Sequence, residues 1–391
     1  MRVLFSIIPG HGHLFPMLPM ARALVDAGHE VVFATSATYG QTVLEYGFEA
    51  IASGPDYTQG SLKASDGIEA LERTMFVEGP AAVADDLLAQ FADQPPDVLL
   101  ADLSDLGCQA AAEIGGIPFG CVLHGGHTGG WPMGWMPLDL DERRQWLADG
   151  SRGTWDRIHE AHGAEARDLW VGERAWDATL GLVQAPPSLN PWPFRSLSHT
   201  AHPLRPEIHT SDVDDEWRAA VPAGRPVVAV SLGTLFGTAE LNEVIARAIL
   251  AAGATPVVAT SLPVDVDGAV VVPWVSMDHL MEVADGFVTH GGWGVTTAGI
   301  VSGTPMVVVP QGADQFDNAA QLAICGAGVP VLPDECSEAS VAAAVTRVLE
   351  EPVHRLNAER LAAEVAAMPS APECVPLVEE LARTGGPILN R

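Results

Sequence analysis

The stretch "FVTHGGWGVTTAGI", Phe287 to Ile300, runs an apolar strand into a histidine, two glycines and the start of a helix, expected from Val295 onward. A helix N-terminus presents unpaired N–H groups and a partial positive charge, and glycines let a ligand approach the backbone. Such a junction suits an anion. His290 and the Thr296 hydroxyl add side-chain donors, while Gly292, Trp293, Gly294 and Val295 form the turn and helix start. Upstream, "VVAVSLGT" puts Ser231, Gly233 and Thr234 at another strand end, a second wall for the same phosphates. "PWVSMDHL" places Trp274 and Val275 after a further strand, where an indole face can stack on a base. Downstream, "PQGADQFDNAA" brings Asp314, Gln315 and Asn318 to the end of "MVVVP". A carboxylate beside an amide suits sugar hydroxyls, which both donate and accept. Helix capping is the structural alternative for Asp314 and Asn318. Base, diphosphate and sugar contacts along one cleft are what a nucleotide sugar would fill.

These residues need a scaffold that gathers strand ends. The 391-residue chain is 48% apolar and long enough for two domains. "RVLFSII", "EVVFAT", "PDVLLAD" and "IPFGCVL" read as buried strands in the first half, with helices such as "MLPMARALVDAG" and "LGCQAAAEIGG" between them. "RPVVAVS", "TPVVAT", "AVVVP", "GFVTH" and "PMVVVP" repeat the scheme in the second half. Apolar strands alternating with helices imply parallel sheets covered on both faces. The fold class is therefore α/β: two Rossmann-like, doubly wound domains facing across a cleft, with ligands outside the carboxyl ends of the strands. The proline- and histidine-rich stretch 186–226 closes the first domain and links it to the second. The division is 1–205, a linker at 206–224, and a second domain over 225–370.

Composition excludes several partners. A formal net charge of −30 argues against nucleic acid and against an anionic membrane surface. No run approaches a membrane span, and Pro9 and Gly10 break the opening apolar segment too early for a signal peptide. Cys108, Cys121, Cys325, Cys336 and Cys374 show no CxxC pair and read as reduced thiols of a cytoplasmic protein. Asp-x-Asp pairs at Asp139/Asp141, Asp212/Asp214 and Asp265/Asp267 are expected by chance in so acidic a chain and read as turn or helix caps, so no metal is assigned. His124/His127 and His199/His202 lack partner ligands. "GHGHLF" lacks the third glycine of a dinucleotide fingerprint, and no G-x-S-x-G elbow supports an esterase. Residues 124–194 hold seven tryptophans (Trp131, Trp135, Trp146, Trp155, Trp170, Trp176 and Trp192). Within them "HGGHTGGWPMGW" reads as a loop whose His124, His127, Trp131 and Trp135 could hold a flat or greasy small molecule.

The assembled motif "WVSMDHL…HGGWGVTT…PQGADQFDNAA" resembles the donor-binding signature of family 1 glycosyltransferases with the GT-B fold, and "PGHGHLFPMLPMARAL" resembles their acceptor-side motif. The similarity covers both domains. It includes "AAMPSAPECVPL", which implies that 371–391 forms a helix crossing back to the first domain. Within the family the chain resembles actinomycete enzymes that glycosylate polyketide, macrolide or enediyne aglycones. The resemblance implies direct displacement at the anomeric carbon, with inversion and without metal or cofactor, the nucleotide sugar being a co-substrate. It implies His13 as general base and Asp102 as the carboxylate that orients it, with Asp105 the runner-up acid; Gly12 and Phe15 fall on the acceptor side. An acceptor hydroxyl needs somewhere to send its proton, and imidazole takes it near neutral pH. His11 faces away if His13 faces the cleft, and reads as unremarkable.

Two positions depart from the family. Ala298 stands where UDP-glucose users often carry a glutamate that grips both ribose hydroxyls, which favours a dTDP-linked deoxysugar. Val295 stands where relatives often have Ser or Thr. The implied reaction moves a deoxysugar to a hydroxyl of a hydrophobic natural product. The alternatives are a UDP-glucose-dependent self-resistance transferase, a nucleotide-sugar 2-epimerase, and a catalytically silent partner that binds nucleotide or aglycone. A homodimer is allowed; a helper protein is allowed but nothing in the sequence indicates one.

Overall fold

The computed structural model describes residues 1–56, 73–102, 105–124, 140–166, 179–189, 200–210, 215–233, 237–312 and 314–390, with the side chains of 124 and 140–148 excepted. Seven strands form the first sheet: β1 (Arg2–Ser6), β2 (Glu30–Thr35), β3 (Glu49–Ala52), β4 (Val98–Asp102), β5 (Phe119–His124), β6 (Leu180–Gln184) and β7 (Ala201–Pro203). Six form the second: β8 (Val227–Ser231), β9 (Thr255–Ala259), β10 (Val270–Val272), β11 (Gly286–Thr289), β12 (Met306–Val308) and β13 (Gly328–Pro330). Among the described residues every strand pairing is parallel.

Parallel pairing follows from burial on both faces. Along β1, Val3 and Phe5 point into one apolar cluster and Leu4 into another, as a side-chain period of two requires. In β8, Val227 and Ala229 face one cluster while Val228 and Val230 face the other. The strand orders are β3-β2-β1-β4-β5-β6-β7 and β10-β9-β8-β11-β12-β13. The order in which strands are added therefore reverses once in each sheet, between β1 and β4 and between β8 and β11. Crossover helices leave those neighbouring strands toward opposite faces, which opens a crevice at their carboxyl ends.

The two sheets are tied together from several directions. Leu123, Val183 and Leu189 of the first share a buried cluster with Leu361 and Val365 of the second. The backbone N–H and hydroxyl of Ser188 both donate to the Glu364 carboxylate, the former at 2.9 Å. In the linker, Trp217 and Val221 pack against the second sheet's core, and Arg218 donates to the His279 carbonyl at 3.0 Å.

The final helix, Val375–Thr384, returns to the first sheet. Cys374, Val378, Leu381 and Ile388 are at most 3% exposed and lie in the cluster built on Val3 and Phe5. Leu381→Ala removes buried methyl groups from that cluster and should cost about 2–5 kcal/mol, read as a lowered thermal midpoint. A midpoint unchanged from wild type would mean the helix is not part of the first domain's core. Among the described residues no helix is long and apolar enough to cross a membrane, and all five cysteines are free thiols.

Candidate active site

Both crevices hold the residues with chemistry. At the first, β4 ends on Asp102, and the chain leaving β1 winds into a helical turn, His11–Leu14. His13 Nδ1 lies 2.5 Å from Asp102 Oδ2, with the carboxylate fully buried and the imidazole side chain 26% exposed. One ring nitrogen is anchored while the side chain keeps partial access to solvent. Burial disfavours the imidazolium, but the charge and hydrogen bond of Asp102 outweigh it, with smaller help from Asp314 and Asp105, and the His13 pKa is raised. A carboxylate on one ring nitrogen fixes the tautomer and leaves the other as a proton acceptor. Asp105 has a different task. It caps the helix Leu106–Gly115 through the Cys108 N–H at 3.0 Å and accepts from Ser6 Oγ at 2.6 Å. Burial pushes its pKa up to about 6.

At the second crevice, Ser231 ends β8 and His290 follows β11. Burial drives the His290 pKa down to about 4 against the opposing pull of Asp314 and of a hydrogen bond to the Ser231 backbone, so the ring is neutral near pH 7. Glycine makes room for it on two sides. A Cβ on Gly292 would sit 2.4 Å from Nε2, and one on Gly233, at φ +66°, would sit 2.8 Å from Cε1. The helix begins at Trp293, two residues before the expected Val295, because extended Gly292 already serves as its cap. Thr296 N–H donates to the Gly292 carbonyl at 3.0 Å, so the open N–H groups at this helix start are those of Trp293, Gly294 and Val295. The Thr296 hydroxyl is buried without a hydrogen-bond partner among the described residues. Trp293 contributes only backbone, since its indole is 4% exposed and packed in the core.

Asp314 stands at the N-cap of the helix Gln315–Ile324 yet makes no side-chain capping bond. Its carboxylate instead accepts from Asn318 Nδ2 at 2.9 Å, and the same amide reaches the Gly291 carbonyl at 2.8 Å. Its charge acts on both His13 and His290. Gln315 is 1% exposed and its side-chain carbonyl accepts from the Gln311 and Gly312 N–H groups, so it braces the loop. Trp274 is 48% exposed, whereas Val275 is 7% exposed with its side chain in the core, leaving its backbone for a base. Among the described residues no three His, Cys, Asp or Glu side chains are grouped to hold a metal ion.

Comparison with known proteins places this geometry. Residues 237–381 match the family model described as "Erythromycin biosynthesis protein CIII-like, C-terminal domain". The L-demethylnoviosyl transferase of Streptomyces niveus is 30% identical over 403 residues, covering 95% of this chain and 95% of that protein. The chain belongs to the antibiotic-pathway glycosyltransferases. The 4'-demethylrebeccamycin synthase of Lentzea aerocolonigenes is 28% identical and covers 97% of this chain and 99% of its own. The glycosyltransferase VinC, solved in complex with dTDP, shares the fold with a TM-score of 0.72 at 23% identity, over 98% of this chain and 100% of that one. The two parallel sheets are thus those of a GT-B glycosyltransferase.

Within this glycosyltransferase some expected residues are placed differently. His11 does not turn away from the cleft: its ring lies 6.0 Å from that of Trp274, on the opposite domain. Phe15 stacks on His209 of the linker at 4.0 Å and meets Tyr46 at 5.7 Å. Gly12 is exposed, with open space where a Cβ would point. Trp155 is 2% exposed and belongs to the core. Thr234, His127, Trp131 and Trp135 lie outside the described residues, as do Asp139, Asp212 and Asp214, and the His124 side chain is likewise undescribed. Sequence reasoning missed Tyr39, Tyr46 and His209, which join the aromatic contacts around His11. Their separation along the chain gave no local signal.

Proposed function

We propose that this glycosyltransferase moves a deoxysugar from a dTDP-sugar to a hydroxyl of a hydrophobic natural-product aglycone, with inversion and without a metal ion. The acceptor oxygen attacks the anomeric carbon as the bond to the diphosphate breaks. The hydroxyl proton passes to His13 Nε2, the nitrogen opposite the one held by Asp102, and Asp102 supports the imidazolium that forms. His290 and the helix start at Trp293, Gly294 and Val295 hold the negative charge that develops on the departing diphosphate. Asp314 holds sugar hydroxyls.

One observation carries this reading. The turn His11–Leu14 that bears the base packs against the helix Trp293–Ser302 that forms the anion site, and the Asp314 charge is felt at both His13 and His290. The dTDP bound by VinC supports the choice of nucleotide. So does Ala298, which is fully buried in the core and offers no carboxylate to a ribose 2′-hydroxyl.

A donor panel with the purified chain tests the proposal. Turnover of dTDP-sugars should exceed that of the matching UDP-sugars by about tenfold or more, the equivalent of one lost polar contact, and EDTA should leave the rate unchanged. Preference for UDP-glucose, isomerisation of the donor without an acceptor, or a strict Mg²⁺ requirement would each overturn it.

A further inference from the structure

The helical turn that carries His13 also carries His11, and the two histidines reach different partners. The His11 ring meets Phe15 edge-on at 5.0 Å and Tyr39 edge-on at 5.8 Å, both from its own domain. Its third neighbour is Trp274 at 6.0 Å, on the chain leaving β10 of the other domain. Phe15 continues the contact by stacking on His209 at 4.0 Å, and His209 meets Tyr46 at 5.1 Å. A seam of aromatic rings therefore runs from the linker, past the turn bearing the general base, to the exposed indole of the donor domain. His11 is largely removed from water, and that burial lowers its pKa despite the nearby Glu45 charge. The ring meets the indole as a neutral aromatic.

We propose that His11 is a positioning residue of the donor site: it closes the cleft onto Trp274, so that a nucleobase stacked on the indole also fixes the turn that presents His13. This rests on the reading of Trp274 as the nucleobase platform. The physical reason is connectivity. A ring that touches both the platform and the backbone turn of the base cannot let one shift without the other, so donor occupancy and the placement of the base become one event. Donor binding and turnover should then respond together to the loss of one side chain that does not itself touch the reacting atoms.

The test combines calorimetry of dTDP binding with steady-state kinetics for the wild type, His11→Ala, Trp274→Ala, the double variant and His11→Phe. Aromatic pairs of this kind are worth about three- to tenfold in an equilibrium. His11→Ala should weaken dTDP by about that factor and lower kcat by a similar one, with acceptor KM unchanged. The double variant should bind dTDP no worse than the weaker single, because the two share one contact. His11→Phe, which keeps a ring, should recover most of both losses. Wild-type affinity and kcat in His11→Ala, with dTDP weakened by Trp274→Ala, would overturn the role of His11 alone. So would single-variant effects that simply multiply. Unchanged dTDP affinity in Trp274→Ala would remove the nucleobase platform, and the role of His11 with it.

Discussion

His13→Ala should lower kcat by about 10²- to 10⁴-fold, the usual worth of a positioned general base, while dTDP binds as to the wild type. The His13 imidazole is held by Asp102 and makes none of the proposed nucleotide contacts, which is why the two readouts separate. The pH profile carries a second signature. A base must be unprotonated to act, and the Asp102 carboxylate raises the His13 pKa. The acidic limb of kcat/KM should therefore rise through an apparent pKa above the ordinary histidine value. Asp102→Asn removes the charge that supports protonation, so the limb should move to lower pH while the plateau falls by about 10²-fold or more. Near-wild-type turnover by His13→Ala, measured with saturating donor, would remove it from the chemistry.

His290→Ala should be the second large loss, about 10²- to 10³-fold in kcat, as expected when one buried donor to a developing anion is removed. The imidazole is uncharged in the free protein, with its pKa driven down to about 4 by burial. A bound diphosphate favours the protonated ring and should raise that value. A histidine-resolved NMR titration with and without dTDP checks the direction. A His290 signal that ignores dTDP would place the diphosphate elsewhere.

Much of this scaffold was legible from pattern alone. β1, β4, β8 and β11 are apolar on both faces, and such runs have few alternatives to the middle of a parallel sheet. Once the strand order is that of a doubly wound sheet, the residues at the ends of β1, β4, β8 and β11 must meet at a crevice, which brings His13 to Asp102 and His290 to Ser231. Orientation was harder to read. The indole of Trp293 and the side chain of Val275 are turned into the core by packing against elements distant in sequence, and Gln315 folds back on Gln311 and Gly312. The place of His11 depended on Trp274, more than 260 positions along the chain. No periodicity carries that information.

The returning helix has a consequence for how the protein is made. Leu381 and Ile388 complete the cluster around Val3 and Phe5, so a strand made early waits for a helix made hundreds of residues later before its hydrophobic face is sealed. Translation order and packing order run in opposite senses. During that interval the opening domain exposes greasy surface, and its nascent form should be a preferred client of chaperones that bind unsealed apolar patches.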